Sequence, residues 1–592
     1  MARTAAQKAA RSCRWFPTLV LGAAVVALLL RWPLLDRPLD RDEGLYAYMA
    51  QRMRRGEVPY RDVFSDKPPL GFLLYRWFSA CFGETVRGLH LGGALWAAAG
   101  TALVAWAGVR VGLSHFAALV AAYAYAVHQA EFTLQGSSVN LELLLTPFAL
   151  GAVGLAGRAG YGNAAAAGAL IALAGLTKQQ AVGHGAFSAL FLLGAFTPAQ
   201  HSWSERGKRL VIFLGGGLLV ASGVVAWLAF QGALADFCEQ TLSYNLQAYV
   251  RREPFARAPA NLWRTLLPIL MHNPLLYALA VVGAVRGACR SARVILLIWL
   301  LCCFAAVSIG FRYYPHYFQL TAPVICMLAG LGAEALTIRQ VNCRPLVMLL
   351  LIAIPVLVQK DYFWSWTPRD HVRRLYGPEL FHVSAGIAEA LARWTKPGEE
   401  VFVFGSEPQI YFLARRKCAT RYAFVHPLTV ARPGASQLQR AVARQLQRRR
   451  PKAIVVVFVD MSYMYEPGAD DYLERAVGRL CREHYWPRAI VYEHRVRTLP
   501  SGFVLSRRML QAALAVLYVR RQVEPLVEGR RRCVPRPDRI EPRAPGKAHS
   551  SVIRYGGTTD GRPAHGDGAH GRTAAVCVGI CHRSRQPVCL PE

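Results

Sequence analysis

The sequence predicts a mainly α, polytopic membrane protein of about 11 transmembrane helices with a small C-terminal extracytoplasmic α/β domain. Three observations lead there. Apolar and aromatic residues fill 54% of the 592 positions and charged residues only 18%, against roughly 45–50% and about 25% in an ordinary soluble chain. Eleven apolar runs approach the ~20 residues that a helix needs to cross a bilayer. Beyond Asp361 the long runs stop, and short strand-like and helix-like segments take over.

The runs are 16–33, 88–109, 115–131, 143–157, 163–177, 181–197, 209–231, 265–285, 293–310, 317–337 and 345–359. Several are shorter than an ideal span. Arg3, Lys8, Arg11 and Arg14 precede the first, which argues for a cytoplasmic N-terminus. A cleaved signal peptide is the alternative, but no small-residue cleavage site follows the run. Residues 69–83 are apolar, short, and contain Arg76. If they lie along the membrane surface, Arg110, Arg158, Arg206–Lys208–Arg209, Arg286–Arg290–Arg293 and Arg339–Arg344 all fall inside. If they span, those clusters move outside. The first alternative follows the positive-inside tendency and puts the chain after Gln359 outside.

The net charge of +33 comes from 69 Lys+Arg against 36 Asp+Glu. Such a balance can mark a nucleic-acid binder. Here the basic residues punctuate apolar runs, so the expected partners are membrane lipids and no nucleic acid. The 14 cysteines are scattered, with neither a disulfide framework nor a paired C-x2-C zinc spacing. Cys577, Cys581 and His582 are close in sequence but sit in an irregular tail.

In the outer part, 379–394 and 436–449 have helical periodicity, while 399–405, 452–460 and 489–494 read as strands. After about Arg507 the chain is rich in Arg, Pro and Gly, a composition that usually stays disordered. The expected organisation is a cytoplasmic N-terminus (1–15), a transmembrane domain (16–359) with a first outer loop (34–87), an extracytoplasmic α/β domain (360–506) and a basic tail (507–592).

Polar residues in or beside apolar spans are costly and point to function. The first outer loop carries Asp40, Asp42 and Glu43, then the helical stretch "EGLYAYMAQRMRRG", read as an amphipathic surface helix, then Tyr60, and Lys67 before Pro68–Pro69. On the same face lie Asn140, Glu142, Lys178, Tyr244, Asn245, Arg312, His316 and Tyr317. A carboxylate beside an apolar slot can act as general base, and cations can hold a phosphate and stabilise it as it leaves. A substrate with a lipid tail, a phosphate and a sugar would use both. Blander readings stand beside these. Asp42 and Glu43 can cap the helix, Lys67 can anchor in the head-group layer, Glu142 can pair with a neighbouring helix, and His316 can be satisfied by backbone. Asp40-Arg41-Asp42 is formally a D-x-D metal motif, without a nucleotide-binding fold around it.

The loop "DRDEGLYAYMAQRMRRGEVPYRDVFSDKPPL" resembles the first outer loop of bacterial GT-C glycosyltransferases, especially glycosyltransferase family 39 and the lipid A aminoarabinose transferases. The resemblance continues through "SSVNLELLLTPFAL", "LAGLTKQQA", "FRYYPHYFQLTAPVICMLAG" and "KPGEEVFVFGSEPQIYFLARRKCATRY", covering roughly Phe16 to Leu505. It implies an inverting hexosyl- or pentosyltransferase of the bacterial inner membrane, with its site on the extracytoplasmic face. The implied donor is a polyprenyl-phosphate sugar, and the acceptor a lipid, polysaccharide or protein. Asp42 and Glu43 would be the catalytic residues, with Asp42 as base and Glu43 supporting it. Lys67 would bind the donor phosphate, and Tyr60, Asn140, Glu142, Lys178, Arg312, His316 and Tyr317 would line the substrate site. Some relatives bind a divalent metal. No separate ligand set is legible here, and the metal residues stay unassigned. A flippase for lipid-linked sugars and a non-catalytic envelope assembly subunit remain as alternatives.

Overall fold

The computed structural model describes residues 2–194, 202–250, 253–336, 344–466 and 468–521. All eleven apolar runs are mainly helical where described. In order, the membrane part contains α1 (Ala2–Arg31), α2 (Arg41–Arg54), α3 (Leu70–Phe82), α4 (Val86–Arg110), α5 (His115–His128), α6 (Leu141–Ala156), α7 (Tyr161–Thr177) and α8 (Val182–Leu192). It continues with α9 (Trp203–Phe230), α10 (Leu234–Cys238), α11 (Ala258–His272), α12 (Pro274–Arg286), α13 (Arg290–Val307), α14 (Ala322–Ala335) and α15 (Arg344–Val358).

Among the described residues, four helical segments are long and apolar enough to cross a membrane singly: Arg14–Leu34, Val86–Arg110, Trp203–Phe230 and Arg290–Val307. The run expected at 265–285 is not one straight helix. Asn273 leaves the helical region and caps Leu276, and Pro274 opens α12, so the two halves meet at 99°. A proline is tolerated there because its missing N–H is an orphan at a helix start. The stretch 69–83 forms the thirteen-residue α3, which at ~1.5 Å per residue reaches only about 20 Å, short of the hydrocarbon thickness.

Two ends of the helical part differ in chemistry. At one end Arg209 donates to the Ala156 and Arg158 carbonyls, and Arg206 donates to Leu193. At the other end α2 and α3 gather the acidic loop. There α2 is a finding against expectation. It is not a surface helix: Glu43 through Met53 are all buried.

The part after Asp361, the expected outer domain, is a doubly wound sheet of β1 (Glu400–Phe404), β2 (Lys417–Cys418), β3 (Ala453–Val457), β4 (Tyr485–Tyr492), β5 (Arg495–Thr498) and β6 (Ala515–Arg520). The order is β2-β1-β3-β6-β4-β5. β1 pairs in parallel with β2 and β3, and β6 is antiparallel to β3 and β4. The sheet therefore runs past Ser506, where the basic tail was expected, and β6 sits at its centre. Around it lie α16 (Lys360–Trp364), α17 (Pro368–Tyr376), α18 (Ser384–Trp394), α19 (Pro408–Ala414), α20 (His426–Thr429), α21 (Ala435–Arg449), α22 (Asp460–Tyr463), α23 (Tyr472–His484) and α24 (Arg507–Ala512). Crossovers β1→β2 and β2→β3 run in opposite directions, so right-handed connections put α19 and α21 on opposite faces. The α19 face covers α2. Gly44 makes that contact close, since a Cβ there would lie 2.6 Å from the Gln409 backbone nitrogen. Cys577, Cys581 and His582 lie outside the described residues, as does the tail from 522.

Candidate active site

The start of α2 is fixed by three side chains that reach in three directions. Asp40 is the N-cap: its Oδ1 accepts from the Glu43 N–H (2.8 Å), and the Glu43 carboxylate accepts from the Asp40 N–H (3.4 Å). This is a capping box. Asp40 Oδ2 also accepts from the hydroxyls of Ser138 and Tyr376, each at 3.0 Å. Glu43 Oε1 accepts from the Val139 N–H (2.7 Å) and lies 3.1 Å from His90 Nε2. Arg41 points into the outer domain. It donates to the Ser406 carbonyl (2.7 Å), to both Glu379 oxygens (3.1 and 3.0 Å) and to Glu407 (3.3 Å).

Asp42 is left over. Among the described residues no hydrogen bond or ion pair holds its carboxylate. It lines a narrow cavity of ≈ 20 Å³ with Leu45, Phe64, Asp66, Lys67, Tyr244, Phe424, His426 and Pro427. That is room for about one water. Lys67 donates to Asp66 at 2.8 Å. Its loop is braced by Tyr60, whose backbone is left-handed (φ 69°) and whose hydroxyl donates to the Lys67 carbonyl (2.9 Å). Tyr60 is fully buried and supports the loop. A π-helical stretch after α10 completes the brace. Gln240 bonds Tyr60 O and Ser65 N (2.9 and 3.0 Å), and Asn245 donates to Asp66 O (2.8 Å).

A second polar cluster lies at the ends of α6 and α7. Lys178 donates to Glu142, and His316 Nε2 lies 3.9 Å from the same oxygen. The Lys178 ammonium sits 4.5 Å over the Tyr317 ring. His316 Nδ1 meets Gln135 Oε1 at 2.7 Å. Burial and the nearby Lys178 push the His316 imidazole down to about 3, so at neutral pH it is an uncharged hydrogen-bonding group. It does not serve as a cation. Burial lowers Lys178 as well; Glu142 opposes that shift and Lys67 adds to it. The fields of Asp42 and Lys67 reach both groups. The two clusters are therefore neighbours. Asn140 is buried at the α6 N-cap with an unbonded amide nitrogen, and Glu142 Oε2 is likewise unbonded.

The structure thus brings Asp42, Lys67, Glu142, Lys178, His316 and Tyr317 to one end. It does not bring all the expected residues to the cavity. Glu43 is turned into the protein, where it holds the start of α2 to Val139 and His90. Arg312 donates to the Ala248 carbonyl (3.2 Å) and is not part of the cavity wall. The residues missed are Asp66 and the outer domain's His426 and Phe424. Asp66 stands in the "SDKPP" word and was legible there. His426 follows β2 by a loop whose closeness to Asp42 exists only in three dimensions. No group of three or more His, Cys, Asp or Glu among the described residues is placed to hold a metal. Asp40 of the D-x-D is already committed to α2, Ser138 and Tyr376, so it does not fit as a metal ligand.

This arrangement defines a multi-pass membrane protein in which the Asp42 carboxylate shares a cavity with the Asp66–Lys67 ion pair at the end of a helical bundle. Its fold is similar to that of two solved structures of ArnT. Residues 66–227, which include Lys67, Glu142 and Lys178, match the family described as dolichyl-phosphate-mannose-protein mannosyltransferase. The chain is similar to ArnT from Cupriavidus metallidurans in the apo state, with 17% identity, a TM-score of 0.51, and coverage of 76% of this chain and 93% of that one. Against the same ArnT bound to undecaprenyl phosphate, identity is 16%, the TM-score 0.53, and coverage 84% and 97%. No curated protein sequence matches the chain.

Proposed function

We propose that this chain transfers a sugar from a polyprenyl-phosphate carrier to an acceptor hydroxyl, with inversion, at the extracytoplasmic face of the bacterial inner membrane. The observation that carries this is the isolation of Asp42. Its neighbours Asp40, Arg41 and Glu43 spend their polar atoms on holding the helix, while Asp42 faces the cavity beside Lys67. A carboxylate so placed can take the proton of an attacking hydroxyl, a contribution of roughly 10²–10⁴ in rate. Lys67 binds the donor phosphate and stabilises the charge that grows on it as the glycosidic bond breaks. Lys178, held by Glu142 and Tyr317, adds positive charge behind it, and neutral His316 can offer a hydrogen bond. The likeness to a protein crystallised with undecaprenyl phosphate supports a lipid-linked donor.

The right-angle break between α11 and α12 is the feature a flippase reading would use, since transporters place binding sites at broken helices. There, however, the Asn273 side chain donates to Glu131 (2.6 Å), and Glu131, His128 and Tyr277 bond one another in turn. That network is filled by its own members. The test is reconstitution in liposomes with the polyprenyl-phosphate sugar fraction of native membranes. Product glycan is expected. Movement of the lipid-linked sugar between leaflets without product would overturn the reading in favour of transport, and neither activity would leave an assembly subunit.

A further inference from the structure

The outer domain is wired into the cavity, and this wiring has a direction. After β2 the chain crosses to α21 as a strap. The Arg421 carbonyl accepts from the Phe64 N–H (2.8 Å), and Arg421 Nη2 donates to the Tyr60 carbonyl (2.6 Å). The strap then lays Phe424, His426 and Pro427 against the cavity. His426 is held on both sides of its peptide: its N–H donates to Ser406 Oγ (3.0 Å), and its carbonyl accepts from the Thr429 hydroxyl (2.9 Å). Its Nδ1 lies 3.3 Å from the Tyr244 hydroxyl, and the residue is 4% exposed. Ser406 follows β1, at the carboxyl edge of the sheet beside the point where the crossovers diverge. Doubly wound sheets bind ligands at such an edge. Here that edge is presented to Asp42.

Asp42 and Lys67 line one cavity together with the His426 strap of the outer domain. The Glu142–Lys178–His316 cluster stands at the ends of apolar helices α6 and α7, on the membrane-helix part of the chain, and the charges of Asp42 and Lys67 reach it. In an inverting displacement the attacking oxygen and the leaving phosphate oxygen stand on opposite sides of the anomeric carbon. If the phosphate sits on the membrane-helix side, the hydroxyl arrives on the strap side. We infer that His426 is an acceptor-binding residue, and that the strap of the outer domain forms the wall that orients the attacking hydroxyl toward Asp42. This rests on the glycosyltransferase reading above. The bond from the anomeric carbon to phosphate oxygen breaks, the bond to the acceptor oxygen forms, and the proton goes to Asp42. His426 donates or accepts a hydrogen bond and is not itself consumed.

The test uses the full-length protein in detergent with two readouts. Undecaprenyl phosphate binding reports the donor side, and glycan product made from native-membrane donor and envelope acceptor fractions reports transfer. His426→Ala is expected to bind undecaprenyl phosphate within about twofold of wild type while losing transfer by tenfold or more, chiefly as a raised acceptor KM. His426→Gln should restore part of the loss, since the amide can bond in place of the imidazole. Thermal unfolding of both variants checks the fold, and His426→Gln carries the test if the alanine variant is unstable. Lost undecaprenyl phosphate binding in a folded variant would put His426 on the donor side and overturn the inference. So would unchanged transfer. A wild type that neither binds nor transfers would instead sink the glycosyltransferase reading itself, and is told apart by the control.

Discussion

Asp40, Arg41, Asp42 and Glu43 are consecutive, yet the fold gives them four tasks, and the tasks can be separated by mutation. Asp42→Asn should keep membrane insertion and undecaprenyl phosphate binding and lose transfer by at least a hundredfold, as a missing general base requires; product formation in liposomes measures it. Asp40→Asn should keep most activity. Burial, with the charges of Glu43 and Asp42, pushes the Asp40 carboxyl up to about 7, so the side chain is already largely uncharged below that pH. A raised folded value means that this group's contribution is complete below its unfolded value near 4 and is lost as pH rises through about 7. The melting temperature of Asp40→Asn relative to wild type should therefore climb between pH 4 and pH 7, and a flat difference would contradict the assignment. Lys67→Ala removes a charge-assisted contact worth about 1.5–3 kcal/mol. It should weaken undecaprenyl phosphate binding at least tenfold in a titration, with little change in melting. The acid and lysine were legible in sequence because they stand in one loop word, "DRDEG…SDKPP". Which acid is free was not, because the partners of Asp40 and Arg41 are Ser138, Tyr376, Glu379 and Ser406, far along the chain.

At the scale of elements, α2 carries the site because it is clamped between α3 and α19. Periodicity predicted the helix correctly and its exposure wrongly. Its polar face, with Arg41, Gln51 and Arg52, looked made for water. In the structure Gln51 donates to Glu84 and to the Phe412 carbonyl, and Arg52 pairs with Glu57. A buried helix can keep polar residues when each finds a partner, and no local pattern announces that. The apolar runs were easier, because twenty apolar residues mean the same thing in any context. Gly44 gives this clamp a test. A valine there would drive its side chain into the Gln409 backbone, which belongs to α19 and cannot swing away. Overpacking of this kind costs about 1–3 kcal/mol. Gly44→Val should lower the melting temperature and cut transfer, while Gly56→Ala, at a glycine with open space around it, should cost only backbone strain and leave transfer near wild type.

On the scale of the whole molecule, the outer domain and the membrane helices line one cavity, and the limits of that domain decide what can be removed. The reading that ended it at Ser506 followed composition: sixteen Lys+Arg against seven Asp+Glu over 507–592, with many prolines and glycines, suggested a tail. Yet "AVLYVR" (515–520) is a strand, and it is the strand that joins the two halves of the sheet. It pairs with β3 along Ala453–Val457 and with β4 along Tyr485–Val491. A single apolar stretch among arginines carries little signal by itself. Only the two open strand edges that it fills make it necessary. Truncation separates the two readings. A chain stopped after Ser506 loses β6, exposing the inner edges of β3 and β4, and buried Val516 and Leu517 no longer fill the core. The outer domain should then unfold or aggregate, and with it should go the Ser406–Arg41 and Phe64–Arg421 bonds that hold the first loop. A chain stopped after Arg521 keeps every one of these contacts and should retain both the melting transition and glycan transfer. Equal activity from the two truncations would show that the sheet is dispensable for catalysis, which the bonds from Arg41 and His426 to Ser406 argue against.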